Sequence, residues 1–76
     1  MNKQRRTKLY QAINLLDKAS EIIEAAVDEE QDCLDNMPEN LQDSDRCAVM
    51  EDAIDCLNAA IDDIASVKDS IENAMQ

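Results

Sequence analysis

The sequence predicts an all-α protein, an antiparallel two-helix hairpin that assembles into a homo-oligomeric helical bundle. The composition favours helix, because 45% of the residues are hydrophobic while the chain has one aromatic residue and no glycine. Apolar residues also recur at spacings of three and four in two long segments, separated by one stretch that holds the sole proline. We therefore predict a single domain over residues 1–76, with helices over about 3–34 and 44–75 and a turn over 35–43.

The first helix is predicted from apolar columns that repeat every seven residues. The columns are Leu9, Leu16 and Ile23; Ala12, Ala19, Ala26 and Cys33; and Ile13, Val27 and Leu34. They share one helical face, because residues three and four apart lie on the same side of a helix. Leu15 and Ile22 widen this face beyond the two columns that a coiled-coil seam requires.

The second helix repeats the pattern. Its columns are Met50, Leu57, Ile64 and Ile71; Cys47, Ile54, Ile61, Lys68 and Met75; and Ala53, Ala60, Val67 and Ala74. Val49 and Cys56 widen the stripe near its start. This helix therefore also presents more apolar surface than one neighbour covers.

The turn is marked by Pro38, which biases the preceding residue away from helix and so ends the first helix near Leu34 or Asp35. Ser44 or Asp43 is the expected N-cap of the second helix. An antiparallel register in which facing residue numbers sum to about 80 brings small residues opposite large ones. It sets Ala19 near Ile61 and Ala26 near Ile54. It also pairs Leu9 with Ile71, Leu16 with Ile64, Ile23 with Leu57 and Cys33 with Cys47.

One hairpin contact covers only one seam per helix, so some apolar residues are left on its flanks. We predict that Leu15, Ile22, Val49 and Cys56 form an oligomer interface, in a dimer or a higher assembly. The alternative is a loose monomer with an exposed flank. Recurrence of the flanking residues at heptad spacing favours self-association.

The three cysteines allow a disulfide or a metal-binding thiol pair between Cys33 and Cys47. The chain has no histidine and no C-x-x-C, so small residues in heptad columns are the favoured interpretation, and no metal or cofactor is expected. The acidic run from Asp28 to Asp35 is interpreted as a solvated face. Glu30 falls in a core column, which suggests an ion pair with Arg46 across the helices.

Charge is unevenly distributed along the chain. The first eight residues carry +4, and the remainder carries eighteen acidic against three basic residues, which gives the net charge of -11. The body should therefore repel nucleic acids and anionic membranes. Neither a membrane span nor a signal-peptide core is recognisable, and an odd cysteine count suits a reducing compartment, so we expect a cytoplasmic location.

Two surfaces are candidate binding sites. At the N-terminus, Arg5, Arg6, Lys8 and Tyr10 combine cations with a stacking ring, as a nucleotide ligand requires; pairing with the acidic C-terminus is the alternative. The second surface is an acidic face of the second helix that could mimic nucleic acid or serve as a solubilising surface. Its residues are Asp52, Asp55, Asp62, Asp63, Asp69 and Glu72.

Catalysis is not expected, because the chain lacks histidine, a phosphate-binding glycine loop and a nucleophile beside a base. The stretch from Asn36 to Gln42, N-M-P-E-N-L-Q, together with 51–57 and 60–62, resembles small uncharacterised proteins encoded by bacteriophages and prophages of gut Firmicutes. The resemblance implies a phage context, in which small proteins often inhibit host defences by binding a protein or sequestering a signalling molecule. The expected function is thus non-enzymatic capture of a nucleotide signal or a host protein, with acidic mimicry of nucleic acid or a purely structural adaptor role as alternatives.

Overall fold

The computed structural model describes residues 1–38, 40 and 45–76, and these form an all-α hairpin. Helix α1 spans Lys3–Asp35 and helix α2 spans Asp45–Ala74. The molecule is a rod of 60 × 15 × 12 Å, which is too short for two helices of about 45 Å or more placed end to end. A linker of residues 36–44 reaches only about 30 Å when extended, so the two helices must run antiparallel.

Helix α1 has a capping residue at each end. Asn2 has an extended backbone, and its side-chain oxygen accepts a hydrogen bond from the Arg5 backbone N–H at 2.8 Å. At the other end the Asn36 side-chain amide donates to the Asp32 carbonyl at 2.8 Å. The first contact satisfies a backbone N–H that lacks a partner within the helix, and the second adds to the hydrogen bond that the Asp32 carbonyl accepts from the Asn36 backbone N–H at 3.0 Å.

Helix α2 begins at Asp45, whose carboxylate lies in the first turn. Negative charge there is favourable because the N-terminal end of a helix carries partial positive charge. The predicted N-caps, Asp43 and Ser44, lie outside the described residues.

The interface between the helices consists of two columns from each. In α1 they are Leu9, Leu16, Ile23, Glu30 and Met37, with Ile13, Ser20, Val27 and Leu34; in α2 they are Met50, Leu57, Ile64 and Ile71, with Cys47, Ile54, Ile61, Lys68 and Met75. All these residues are buried or half-buried. The spacing alternates between three and four residues, so the contact is a single coiled-coil-like seam.

The register differs from the predicted one by about one helical turn. Asp17 and Lys68 form an ion pair, and their numbers sum to 85. If the numbers of facing residues sum to 84, Ile13 lies level with Ile71, and every seam residue of one helix lies opposite a seam residue of the other. The predicted sum of about 80 is wrong, because it would set the buried Ile13 opposite Val67, which is 47% exposed.

The seam forms a thin core. Ile13, Cys47, Ile54 and Met75 are the buried apolar residues, and no described side chain is fully enclosed. The accessible surface is 5765 Å², about 1,100 Å² more than the roughly 4,700 Å² expected for a compact monomer of this mass. Part of the excess follows from the rod shape, and part is apolar surface that the hairpin leaves uncovered.

Candidate functional site: an apolar face and a basic end

The residues predicted to form an oligomer interface are exposed on the hairpin. Leu15 is 66% exposed, Ile22 70% and Val49 67%, and Cys56 is also exposed. Each lies three or four residues from alanines that flank the seam. We call the combined surface the apolar face; it comprises Ala12, Leu15, Ala19, Ile22, Ala26 and Cys33 from α1, and Val49, Ala53, Cys56, Ala60, Val67 and Ala74 from α2.

Both halves of the apolar face lie on the same side of the hairpin. At 100° per residue, the flanking columns of each helix are centred about 110° from the seam, in the same rotational sense along the chain. Because α2 runs opposite to α1, equal rotations bring both flanks to one side of the plane that contains the helix axes. The hairpin is therefore amphipathic as a whole, with one broad apolar surface.

The opposite side of the hairpin is polar. Its two columns adjoin the seam and are Tyr10, Asp17, Glu24 and Gln31 in α1, with Glu51, Asn58, Ala65 and Glu72 in α2; all are exposed except the half-buried Asp17. Asp17 accepts a hydrogen bond from the Lys68 ammonium here. This contact raises the pKa of Lys68 above its ordinary 10.5, chiefly through the hydrogen bond that the ammonium donates to the Asp17 carboxylate.

The cysteines occupy different environments. Cys47 is buried in the seam and its Sγ donates to Glu51 Oε1 at 3.7 Å, whereas Cys33 is exposed. The register sets Cys47 level with Met37, so the predicted juxtaposition of Cys33 and Cys47 is wrong. The interpretation as buried heptad residues is correct for Cys47 alone, because Cys33 and Cys56 lie on the apolar face, outside the seam.

The predicted ion pair between Glu30 and Arg46 is absent. Glu30 is half-buried in the seam, level with Ile54, while Arg46 is exposed. Among the described residues Asp17 and Lys68 form the one ion pair between the helices. Arg46 instead borders an open depression of about 250 Å³ at the turn, lined also by Cys33, Asn36, Met37, Pro38 and Met50.

The four predicted ligand residues do not converge. Lys8 and Arg5 continue the columns of the apolar face, Arg6 continues a seam column, and Tyr10, which is 57% exposed, lies on the polar side. Of the four, only Lys8 lines the open groove of about 470 Å³ beside the first turns, with Lys3, Gln4, Thr7 and Gln11. A single hairpin therefore offers scattered cations and no enclosed nucleotide pocket.

The basic end is formed by the cationic side chains of Lys3, Arg5, Arg6 and Lys8. These side chains have no acidic partners among residues 1–38, 40 and 45–76. The register explains this, because Arg5 and Arg6 extend past the C-terminal end of α2, and Glu72 lies level with Ala12. The predicted alternative, pairing of this end with Asp69 and Glu72, is therefore not observed. Positive charge at the start of α1 also opposes the helix dipole, and only the Asn2 cap compensates for it there.

The acidic residues of α2 face solvent. Asp55, Asp62 and Asp69 are exposed and recur every seven residues along the side away from the seam. Asp63 is also exposed, but it interrupts the α2 half of the apolar face. Within the described ranges, cysteine and carboxylate side chains do not gather in a group that could hold a metal ion.

Neither α1 nor α2 is long and apolar enough to cross a membrane. No protein-family model, no curated protein and no solved structure matches this chain.

Proposed function

We propose that this protein is a non-enzymatic, self-assembling binding protein. The observation that carries the proposal is the apolar face, which lies entirely on one side of the hairpin and whose large side chains remain exposed. A standard interface buries about 800 Å² per partner, which is less than the surplus surface of this chain. A second hairpin covering the face completes a four-helix bundle and gives the thin core the apolar contacts that it lacks.

Light scattering of the purified protein tests this proposal. We expect a mass of at least twice 8.5 kDa at micromolar concentration, and a shift toward the monomer for Ile22→Glu. The matched control is Ala65→Glu, which adds the same charge on the polar side and should leave the mass unchanged. A strictly monomeric wild-type protein would overturn the proposal.

We further propose that the assembly acts by stoichiometric capture of a protein with a basic surface. The support is charge: with the apolar face covered, the outward surface holds the Asp55, Asp62 and Asp69 column within a chain of net charge -11. Such a surface attracts a basic partner and accelerates its association. The resemblance of the turn to phage proteins suggests a host defence protein as the target.

Co-purification from a host lysate tests the capture. A specific partner should be retained at low salt, released as ionic strength rises, and lost when Asp55, Asp62 and Asp69 are changed to Asn. The matched control changes Glu21, Glu24 and Asp28 of α1 to their amides. Equal retention by both triple variants would contradict a role for the α2 acidic column.

Sequestration of a nucleotide is the second candidate function. It is supported by the basic end, whose four cations have no carboxylate within ion-pair distance among the described residues. A cyclic dinucleotide or ADP-ribose should then raise the melting temperature of the wild-type protein but not that of Arg5→Ala/Arg6→Ala. The protein-capture proposal expects no shift with either nucleotide.

A further inference from the structure

The α1 half of the apolar face has an internal symmetry that the α2 half lacks. Its outer column is Lys8, Leu15, Ile22 and Glu29, and all four residues are exposed. Its inner column is Ala12, Ala19, Ala26 and Cys33. In α2 the corresponding outer column is Val49, Cys56, Asp63 and Ser70, and a two-fold axis at its midpoint would set Cys56 opposite the Asp63 carboxylate.

The outer column complements itself under a two-fold rotation. The four residues are spaced seven apart along the chain. A two-fold axis midway between Leu15 and Ile22 therefore brings Leu15 of one copy opposite Ile22 of the other. The same axis brings Lys8 opposite Glu29. Two antiparallel copies of this column therefore match apolar with apolar at the centre and cation with carboxylate at both ends.

The inner column shares the same centre. A two-fold axis at Ala19 sets this residue against its own copy and Ala12 against Ala26. The centres of the two columns differ by half a residue, which is about 0.75 Å along a helix. Alanine at the three inner positions nearest this centre lets the two α1 helices approach to the short end of the usual interaxial range, about 8 Å.

We propose that two copies of this chain dock through α1, antiparallel and centred on Ala19, with Lys8 of each protomer paired to Glu29 of the other. This inference rests on the proposed self-assembly and adds its partner, orientation and register. The α2 helices then lie against each other on the same side of the dimer, which gives a four-helix bundle. Asp63 stays at the outer edge of this contact and keeps its access to water.

The alternative docking, with both turns at the same end, is less favourable for a specific reason. It would set α1 against α2 of the other protomer in the register of the hairpin itself. Ile22 and Asp63, whose numbers sum to 85 like those of Asp17 and Lys68, would then face each other. That contact covers a carboxylate with an isoleucine and leaves the symmetry of the α1 column unused.

Charge reversal tests the register. At low salt, Lys8→Glu or Glu29→Lys should each weaken dimerisation on the order of ten-fold, because each creates two like-charged contacts per dimer. The double variant should restore the wild-type dissociation constant, as measured by sedimentation during dilution. The matched controls, Lys3→Glu and Glu21→Lys, lie off the apolar face and should change the constant little. Failure of the double variant to recover would overturn the proposed pairing.

Disulfide trapping tests the two-fold centre independently. In a chain whose native cysteines are replaced by alanine, Ala19→Cys should form a covalent dimer on mild oxidation. Ala12→Cys should not, because the two copies of residue 12 are then about 21 Å apart along the axis. Cross-linking of Ala12→Cys, or of neither variant, would overturn the antiparallel docking.

The outcomes also separate this inference from the proposed function. An oligomer by light scattering in which neither test succeeds contradicts the docking but leaves self-assembly standing. A monomer contradicts both. Circular dichroism of each variant confirms that the helices are retained, so that a lost dimer is not mistaken for a lost fold.

Discussion

Lys68 on α2 donates a hydrogen bond from its Nζ to Asp17 Oδ1 on α1, and this contact joins the middle of α1 to the C-terminal third of α2. Lys68 stands in a seam column between Ile61 and Met75, where its aliphatic stem packs while its ammonium reaches the polar side. The Lys68 side chain is 28% exposed and that of Asp17 47%. Because aliphatic contacts fit several registers equally well, we infer that this pair helps to select the observed one.

The Lys68 contact predicts a loss of stability at high pH. The folded-state pKa of Lys68 is raised above 10.5, so its stabilising contribution is fully present below pH 10.5 and is lost as the pH rises through the folded-state value. We expect the urea midpoint of the wild-type protein to fall as the pH rises above 10.5. Urea denaturation across this range, followed by circular dichroism, measures the change.

The control for this prediction is a pair of lysine variants. Lys68→Met removes the titrating group and keeps an unbranched stem, so it should flatten the decline above pH 10.5. Lys18→Met removes an exposed lysine from α1 and should retain the wild-type decline. Equal pH profiles for both variants would mean that general charge repulsion causes the loss.

Glu30 is the least suitable residue in the seam. It is half-buried, level with Ile54, and has no ion-pair partner among the described residues. Glu30→Leu should stabilise the hairpin by about 1 kcal/mol through added apolar burial. For a domain of this size that corresponds to a rise of roughly 4–8 °C in melting temperature, measured by circular dichroism at one fixed protomer concentration.

Two further variants make the Glu30 test specific. Glu24→Leu places the same side chain on the polar side and should gain little, because that position stays exposed. Arg46→Ala should leave the melting temperature unchanged, since no ion pair joins it to Glu30. A destabilised Glu30→Leu protein would show that the carboxylate has a favourable partner.

The cap of α1 depends on one side chain. Asn2→Ala removes the acceptor for the Arg5 backbone N–H and should cost about 1 kcal/mol of helix stability. The loss should be local, with faster hydrogen exchange over the first turn and no change near Asp45. Asn2→Asp should slow this exchange below the wild-type rate, because a carboxylate also offsets the dipole and the neighbouring cations.

The helical hairpin could be predicted from the sequence, because apolar periodicity and the single proline determine both helices and the turn. The register could not, because a slip of four residues keeps each column near a seam and exchanges one set of aliphatic contacts for another. The informative signal is Lys68, which stands in an otherwise apolar column. A lysine there favours an acid beside the facing column, but apolar periodicity does not identify Asp17, which lies outside every apolar column.

The predicted ligand site illustrates another limit of sequence analysis. Arg5, Arg6, Lys8 and Tyr10 are close in sequence, yet a helix spreads residues that are one or two apart around its circumference. The apolar flank was easier to recognise because its residues repeat at the spacing of a helical face. Whether the two flanks share one side, however, depends on the antiparallel direction of α2 as well as on periodicity.

The thiols should differ in reactivity according to their positions. Cys33 and Cys56 are exposed on the apolar face, whereas Cys47 is buried in the seam. In the Ile22→Glu protein, two thiols per chain should alkylate rapidly with a neutral maleimide, and Cys47 should react at least on the order of ten-fold more slowly, because it requires local opening. In the wild-type protein the Cys56 rate should fall as protein concentration rises, since assembly covers the apolar face. Peptide mass spectrometry assigns each rate, and a concentration-independent Cys56 rate would contradict burial of this face on assembly.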